Sequence, residues 1–146
     1  MSIFAALNVS ASGLTAQRLR MDVTSANLAN AQTTRTPGGG PYRRQTVVLQ
    51  EASGGESFAG NLAGALGGGS TPAGVEVAAI IPDNTPLKKV YEPESPEADK
   101  QGYVTMPNVN PVTEMTDLID ASRSYQANVT AMQTTKSIFS KTIELL

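Results

Sequence analysis

The chain has no cysteine, no histidine and no tryptophan, and its aromatic content is 5%. Each absence removes a class of function. Without cysteine there is no disulfide framework, no thiolate nucleophile and no thiolate metal site. Without histidine there is no Ser-His-Asp triad and no imidazole ligand for zinc. Charge is scarce as well: the formal net value is −2 over 146 residues, so the chain lacks the basic field of a nucleic-acid binder. No segment reaches the roughly 20 consecutive apolar residues that would cross a bilayer. The opening "MSIFAALNVSASGL" has no positive residue before Arg18, and Asn8, Ser10 and Ser12 break its apolar run. It does not read as a cleaved secretory signal. These absences argue against membrane insertion, nucleic acid and cofactor chemistry.

What the chain has is periodicity at both ends. From Phe4, positions spaced as the first residue of a heptad are Phe4, Ala11, Arg18 and Ser25; those spaced as the fourth are Leu7, Leu14, Met21 and Leu28. The fourth position is large and apolar every time, which marks one stripe of an α-helix. With Ser2 as its cap, the helix is expected over residues 2–31, and "TPGGGP" at 36–41 stops it.

The far end repeats the pattern. Asn110 caps, Pro111 takes the first helical position, and Glu114 and Asp117 sit near the positive end of the helix dipole. The seam here runs through Met115, Ser122, Val129, Lys136 and Ile143, with Leu118, Tyr125, Met132, Phe139 and Leu146 in the alternate positions. At about 1.5 Å per residue the two helices reach about 45 and 54 Å. Neither can bury its stripe alone. Pairing with each other is the economical solution.

Between the helices the period changes. Residues 42–50 (YRRQTVVLQ), 75–81 (VEVAAII), 87–92 (LKKVYE) and 102–106 (GYVTM) read as strands, with Pro82 and Pro86 in the connection between the second and third. Residues 52–74 form a Gly/Ser/Ala-rich loop without periodicity. The expected fold is α+β and elongated, the terminal helices paired as a coiled-coil-like hairpin around a small central β module. Its divisions are residues 1–34, 35–109 and 110–146.

The stretch "SANLANAQTT" (25–34) carries two asparagines, one leucine and no charge. The last helix has a comparable surface in Thr116, Ala121, Ser124, Ala127, Asn128, Thr130, Ala131 and Thr134. Small side chains let helices approach closely, and Asn, Ser and Thr can bond across the gap. Such surfaces suit a helix surrounded by other subunits. The expected seam and assembly residues are Leu7, Leu14, Met21, Asn27, Leu28, Asn30, Met115, Leu118, Tyr125, Asn128, Val129, Met132, Phe139, Ile143 and Leu146.

Chemistry has few candidates. Glu92, Glu94, Glu97 and Asp99 put four carboxylates into eight residues, enough in principle for a cell-wall hydrolase. Pro93 and Pro96 make an extended, solvated turn the simpler reading. Neither glycine run precedes a Lys-Ser/Thr pair, so neither is a phosphate-binding loop. Arg35, Arg43 and Arg44 form a modest basic cluster suited to strand solvation or an acidic neighbour.

The segments "SASGLTAQRLRMDVTSANLANAQTTRT", "GGGPYRRQTVVLQ", "EADKQGYVTMPNVNPVTEM" and "ASRSYQANVTAMQTTKSIFSKTIELL" together resemble the axial proteins of the bacterial flagellum, and among them the basal-body rod proteins. Members of that family often carry His-Pro-Asp where this chain has Ser95-Pro96-Glu97. The resemblance implies a non-enzymatic subunit without cofactor or small-molecule substrate, exported uncleaved through the flagellar type III apparatus. It would assemble helically with other rod proteins and further copies of itself in the rod that crosses the periplasm.

Overall fold

A computed structural model describes residues 3–52 and 74–144. Ser2, Leu146 and most of the Gly-rich loop lie outside the described residues. Helix α1 spans Ile3–Ala29 and helix α2 spans Pro111–Glu144, with strands β1 (Gln45–Glu51), β2 (Val75–Pro82), β3 (Lys88–Tyr91) and β4 (Tyr103–Met106) between them. The fold is α+β, with two long helices and a small set of short strands, as the periodicity predicts. Neither helix is long and apolar enough to cross a membrane.

The helix ends follow from local chemistry. Asn110 Oδ1 accepts from the Val112 N–H at 3.1 Å, and the Asn110 carbonyl accepts from the Glu114 N–H at 3.0 Å. That satisfies donors left unpaired at the start of α2. At the end of α1, the Asn30 N–H reaches the Ala26 carbonyl at 3.1 Å, and Asn30 Nδ2 donates to the same oxygen at 2.9 Å. The carboxamide then accepts from the Thr33 hydroxyl at 3.1 Å. Asn30 closes its own helix.

The strands form two separate two-stranded sheets, β1 with β2 and β3 with β4. The connection through Pro82 and Pro86 therefore passes from one sheet to the other. In the β3–β4 pair, Lys88 faces Met106 and Tyr91 faces Tyr103. Pairing of β1 with β2 is flanked by bonds from the Ala52 N–H to the Gly74 carbonyl (3.0 Å) and from the Asp83 N–H to the Arg44 carbonyl (2.8 Å), the order of an antiparallel ribbon. Gly74 has a φ of 88°, and a β-carbon there would collide with Ser12 Oγ, which accepts from the Val75 N–H at 3.1 Å. Only glycine meets both demands.

The chain divides into two compact units. The first takes its described residues from Met1–Leu19, Val48–Ala79 and Ala121–Leu146; the second consists of Arg20–Val47 and Ile80–Asp120. Within the first, the helices pack through small residues: Ala16 and Ala121 are buried, and a β-carbon at Gly13 would lie 3.0 Å from Asn128 Nδ2. Phe4 and Phe139 meet edge to face with centroids 6.0 Å apart. Within the second, Val23, Val104, Pro107 and Val109 are buried. A side chain of that size contributes about 1.5–3 kcal/mol on burial.

The buried stripe of α1 is thus not its large heptad stripe. Ala16, Val23, Thr24 and Asn27 are buried, whereas Leu7, Leu14, Met21 and Leu28 are only half-buried. In the first unit, Gly13 and Ala16 let the helices approach closely; Val23, Thr24 and Asn27 are buried within the second.

Candidate assembly surface and the polar knot beneath it

Asn27 is 1% exposed, at the end of a helix that otherwise meets little apolar core. Every hydrogen-bonding valence of its carboxamide is used. Nδ2 donates to the Gln45 carbonyl at 2.8 Å and to Glu114 Oε2 at 2.9 Å. Oδ1 accepts from the Gln45 N–H at 2.9 Å and from the Tyr42 hydroxyl at 3.0 Å. A buried amide left unpaired costs free energy, so this full satisfaction fixes the geometry.

Glu114, also 1% exposed, is the second centre. Its Oε1 accepts from Arg44 Nε at 2.6 Å. Arg44 Nη2 continues to Asp117 Oδ2 at 3.1 Å, and Nη1 lies 3.8 Å from Asp83 Oδ2. The Arg44 N–H donates to Asn108 Oδ1 at 2.8 Å, and Asn108 Nδ2 donates to the Asp83 carbonyl at 3.1 Å and the Thr85 hydroxyl at 2.8 Å. The hydrogen bond to Glu114 holds the Arg44 guanidinium above its ordinary pKa. Burial, with the Glu114 charge behind it, raises the Tyr42 phenol, which stays neutral and free to donate. All of these residues belong to the second unit.

The expected assembly residues fall into three groups. Asn27 is inside and wholly engaged with its own chain, so it is not offered to a neighbour. Leu7, Leu14, Met21, Leu28, Asn30, Leu118, Tyr125, Asn128, Val129 and Met132 are half-buried. Met115, Phe139 and Ile143 are exposed by 55%, 38% and 56%, together with Phe4, Val112, Ile119 and Ile138. Val112, Met115 and Ile119 follow one another at helical spacing, so α2 presents an apolar stripe near its start. Phe4, Phe139 and Ile143 present another surface in the first unit. Leu146 lies outside the described residues.

The acidic run behaves as a turn. Asp99 Oδ1 accepts from the Gln101 N–H at 2.8 Å and the Tyr103 N–H at 3.0 Å, and these backbone donors hold its carboxyl below the ordinary range. Glu92, Glu94 and Glu97 are exposed. Among the described residues, no group of three or more acidic side chains is placed to hold a metal ion. Of the basic cluster, Arg44 finds its acidic neighbours within its own chain; Arg35 and Arg43 remain exposed.

Sequence reasoning missed the knot. Asn27 and Glu114 are 87 residues apart, and Arg44 and Glu114 are 70 apart. No local spacing joins them. The small-residue stripe of Gly13 and Ala16 was present in the sequence as a signal of close helix approach, in the shadow of the larger heptad residues.

A long helix at each end, a buried polar junction and apolar surface left on the outside describe a subunit built to be packed. Comparison with known proteins identifies the kind. Residues 7–35 match the family model for the flagella basal body rod protein, and residues 100–145 match that for the flagellar basal body rod FlgEFG protein C-terminal region. The flagellar basal-body rod protein FlgC of Bacillus subtilis (strain 168) is 49% identical over 150 aligned residues, covering 99% of each chain. The chain belongs to the FlgC family of flagellar basal-body rod proteins. The FlgC of Borreliella burgdorferi is 45% identical over 150 residues, covering 100% of this chain and 99% of its own. That of Escherichia coli O6:H1 is 43% identical over 145 residues, covering 99% and 98%. The stretch matched to FlgC proteins takes in both helices and the strands between them.

Proposed function

We propose that this chain is a structural subunit of the flagellar basal-body rod, which assembles helically with other rod proteins and further copies of itself and carries torque along the rod. The observation that carries this reading is the full-length similarity to FlgC proteins of several bacteria. The geometry supports it: exposed apolar residues on α2 need neighbours, and the polar knot gives the helix ends a fixed place to start from. The subunit works by binding other subunits, with no bond made or broken. Delivery to the rod would be by the flagellar export apparatus with the N-terminus intact. A cell-wall hydrolase working through Glu94 or Glu97 has no support from the relatives, and Asp99 is occupied with its own turn.

Among the described residues, the two units differ in which side chains they bury. Buried hydrophobic residues of the first are Ala16 and Ala121, among those described; the second has Val23, Val104 and Val109, plus the knot. Local stability follows buried contacts. In dilute monomer, amides of residues 4–19 and 121–143 should exchange at least tenfold faster than those of 20–29 and 111–120. In isolated basal bodies the difference should disappear. Equal, strong protection of both segments in dilute monomer would contradict assembly through these helices.

A further inference from the structure

The segment Gln45–Gln50, QTVVLQ, has no charge, proline or glycine and is rich in β-branched residues. Short segments of that composition pair readily with copies of themselves when an edge is open. β1 has such an edge. The Arg44 carbonyl accepts from Asp83, so the backbone of Arg44 faces β2; strand alternation turns the N–H and C=O of Gln45 the other way. Both are taken by the carboxamide of Asn27, one accepting and one donating. That is the two-bond exchange a residue of a neighbouring strand would make. The Asn27 carboxamide is in turn held by Tyr42 and by Glu114 in the first turn of α2.

We infer that Asn27 is a surrogate strand residue that occupies the first rung of the outer edge of β1, at Gln45, and so hinders this segment from pairing with β1 of a second copy. Natural sheets commonly protect an edge by covering it with a helix; here a single side chain of α1 supplies the missing rung, and Glu114 locks it in place. The guard matters most for a subunit that meets many copies of itself, because strand pairing would compete with helix packing.

The experiment uses the purified full-length chain and two substitutions in the same unit. Asn27→Ala frees the Gln45 edge. Val23→Ala removes buried side-chain volume but leaves the Asn27–Gln45 bonds in place. The two are compared in urea adjusted to give equal unfolded fractions. Exchange of the Gln45 amide should rise at least tenfold in Asn27→Ala and remain near wild type in Val23→Ala. Asn27→Ala alone should form thioflavin-positive oligomers whose fraction grows with concentration, and adding Val47→Lys should suppress them. If Asn27→Ala does not fold, Asn27→Leu, which keeps the side-chain volume and has neither the acceptor for the Gln45 N–H nor the donor for its carbonyl, is scored in the same way. Equal oligomer formation by Val23→Ala overturns the inference, as does a monomeric Asn27 variant whose Gln45 amide exchanges freely.

Discussion

Arg44→Met should lower the unfolding free energy of the second unit by about 3–5 kcal/mol at neutral pH, the usual cost of stranding one partner of a buried ion pair. The reason is Glu114. It is 1% exposed and its Oε1 has Arg44 as its cation, at 2.6 Å. Removing the guanidinium leaves a buried carboxylate with one amide donor, Asn27 Nδ2, and removes the link to Asp117. Domains have about 5–15 kcal/mol in total, so the variant should be marginal. Adding Glu114→Gln removes the stranded charge, and Arg44→Met/Glu114→Gln should recover at least half the loss. Urea unfolding of the two variants against wild type measures this. A loss under about 1 kcal/mol would mean that the pair behaves like an exposed salt bridge.

The second large effect concerns assembly. Phe139 is 38% exposed and touches Phe4 edge to face, in the first unit, far in sequence from the knot. Phe139→Asp should leave the urea transition of the second unit within about 0.5 kcal/mol of wild type, the usual range for a surface change. Yet it places a charge on apolar surface that a packed subunit would cover, where desolvation without a partner is costly. Cells carrying only this variant should be non-motile and lack complete rods. Leu28→Asp is a less clean probe, because Leu28 is half-buried beside Asn27 and the substitution would disturb the knot. Swimming cells with normal rods would show that the Phe139 surface is not an assembly contact.

These effects also separate what the sequence reveals from what it hides. Helix existence, the Asn110 cap and the approximate strands were readable because each rests on local chemistry: a 3.6-residue period, a capping side chain, an alternating apolar run. Burial was harder. Leu7, Leu14, Met21 and Leu28 make the conspicuous stripe, but Ala16 is the buried residue in the first unit and Val23 in the second, because which side of a helix is covered depends on the elements packed against it. From sequence, Asn27 belongs to an uncharged helix end whose expected surroundings are other subunits. It faces inward, joined to Tyr42, Gln45 and Glu114, and the partners that satisfy it come from three different segments. A single sequence carries no mark of such a meeting: Glu114 in α2 and Arg44 before β1 each have an ordinary local explanation. The acidic turn is legible from its prolines, and Asp99 is consumed by the backbone amides that follow it.

The central claim is that this chain is a necessary packed part of the rod. Electron microscopy of basal bodies isolated from cells lacking the chain tests it most directly. The account predicts basal bodies without a complete rod, restored by the wild-type chain and not by Phe139→Asp. Complete, normally proportioned rods in its absence would contradict it.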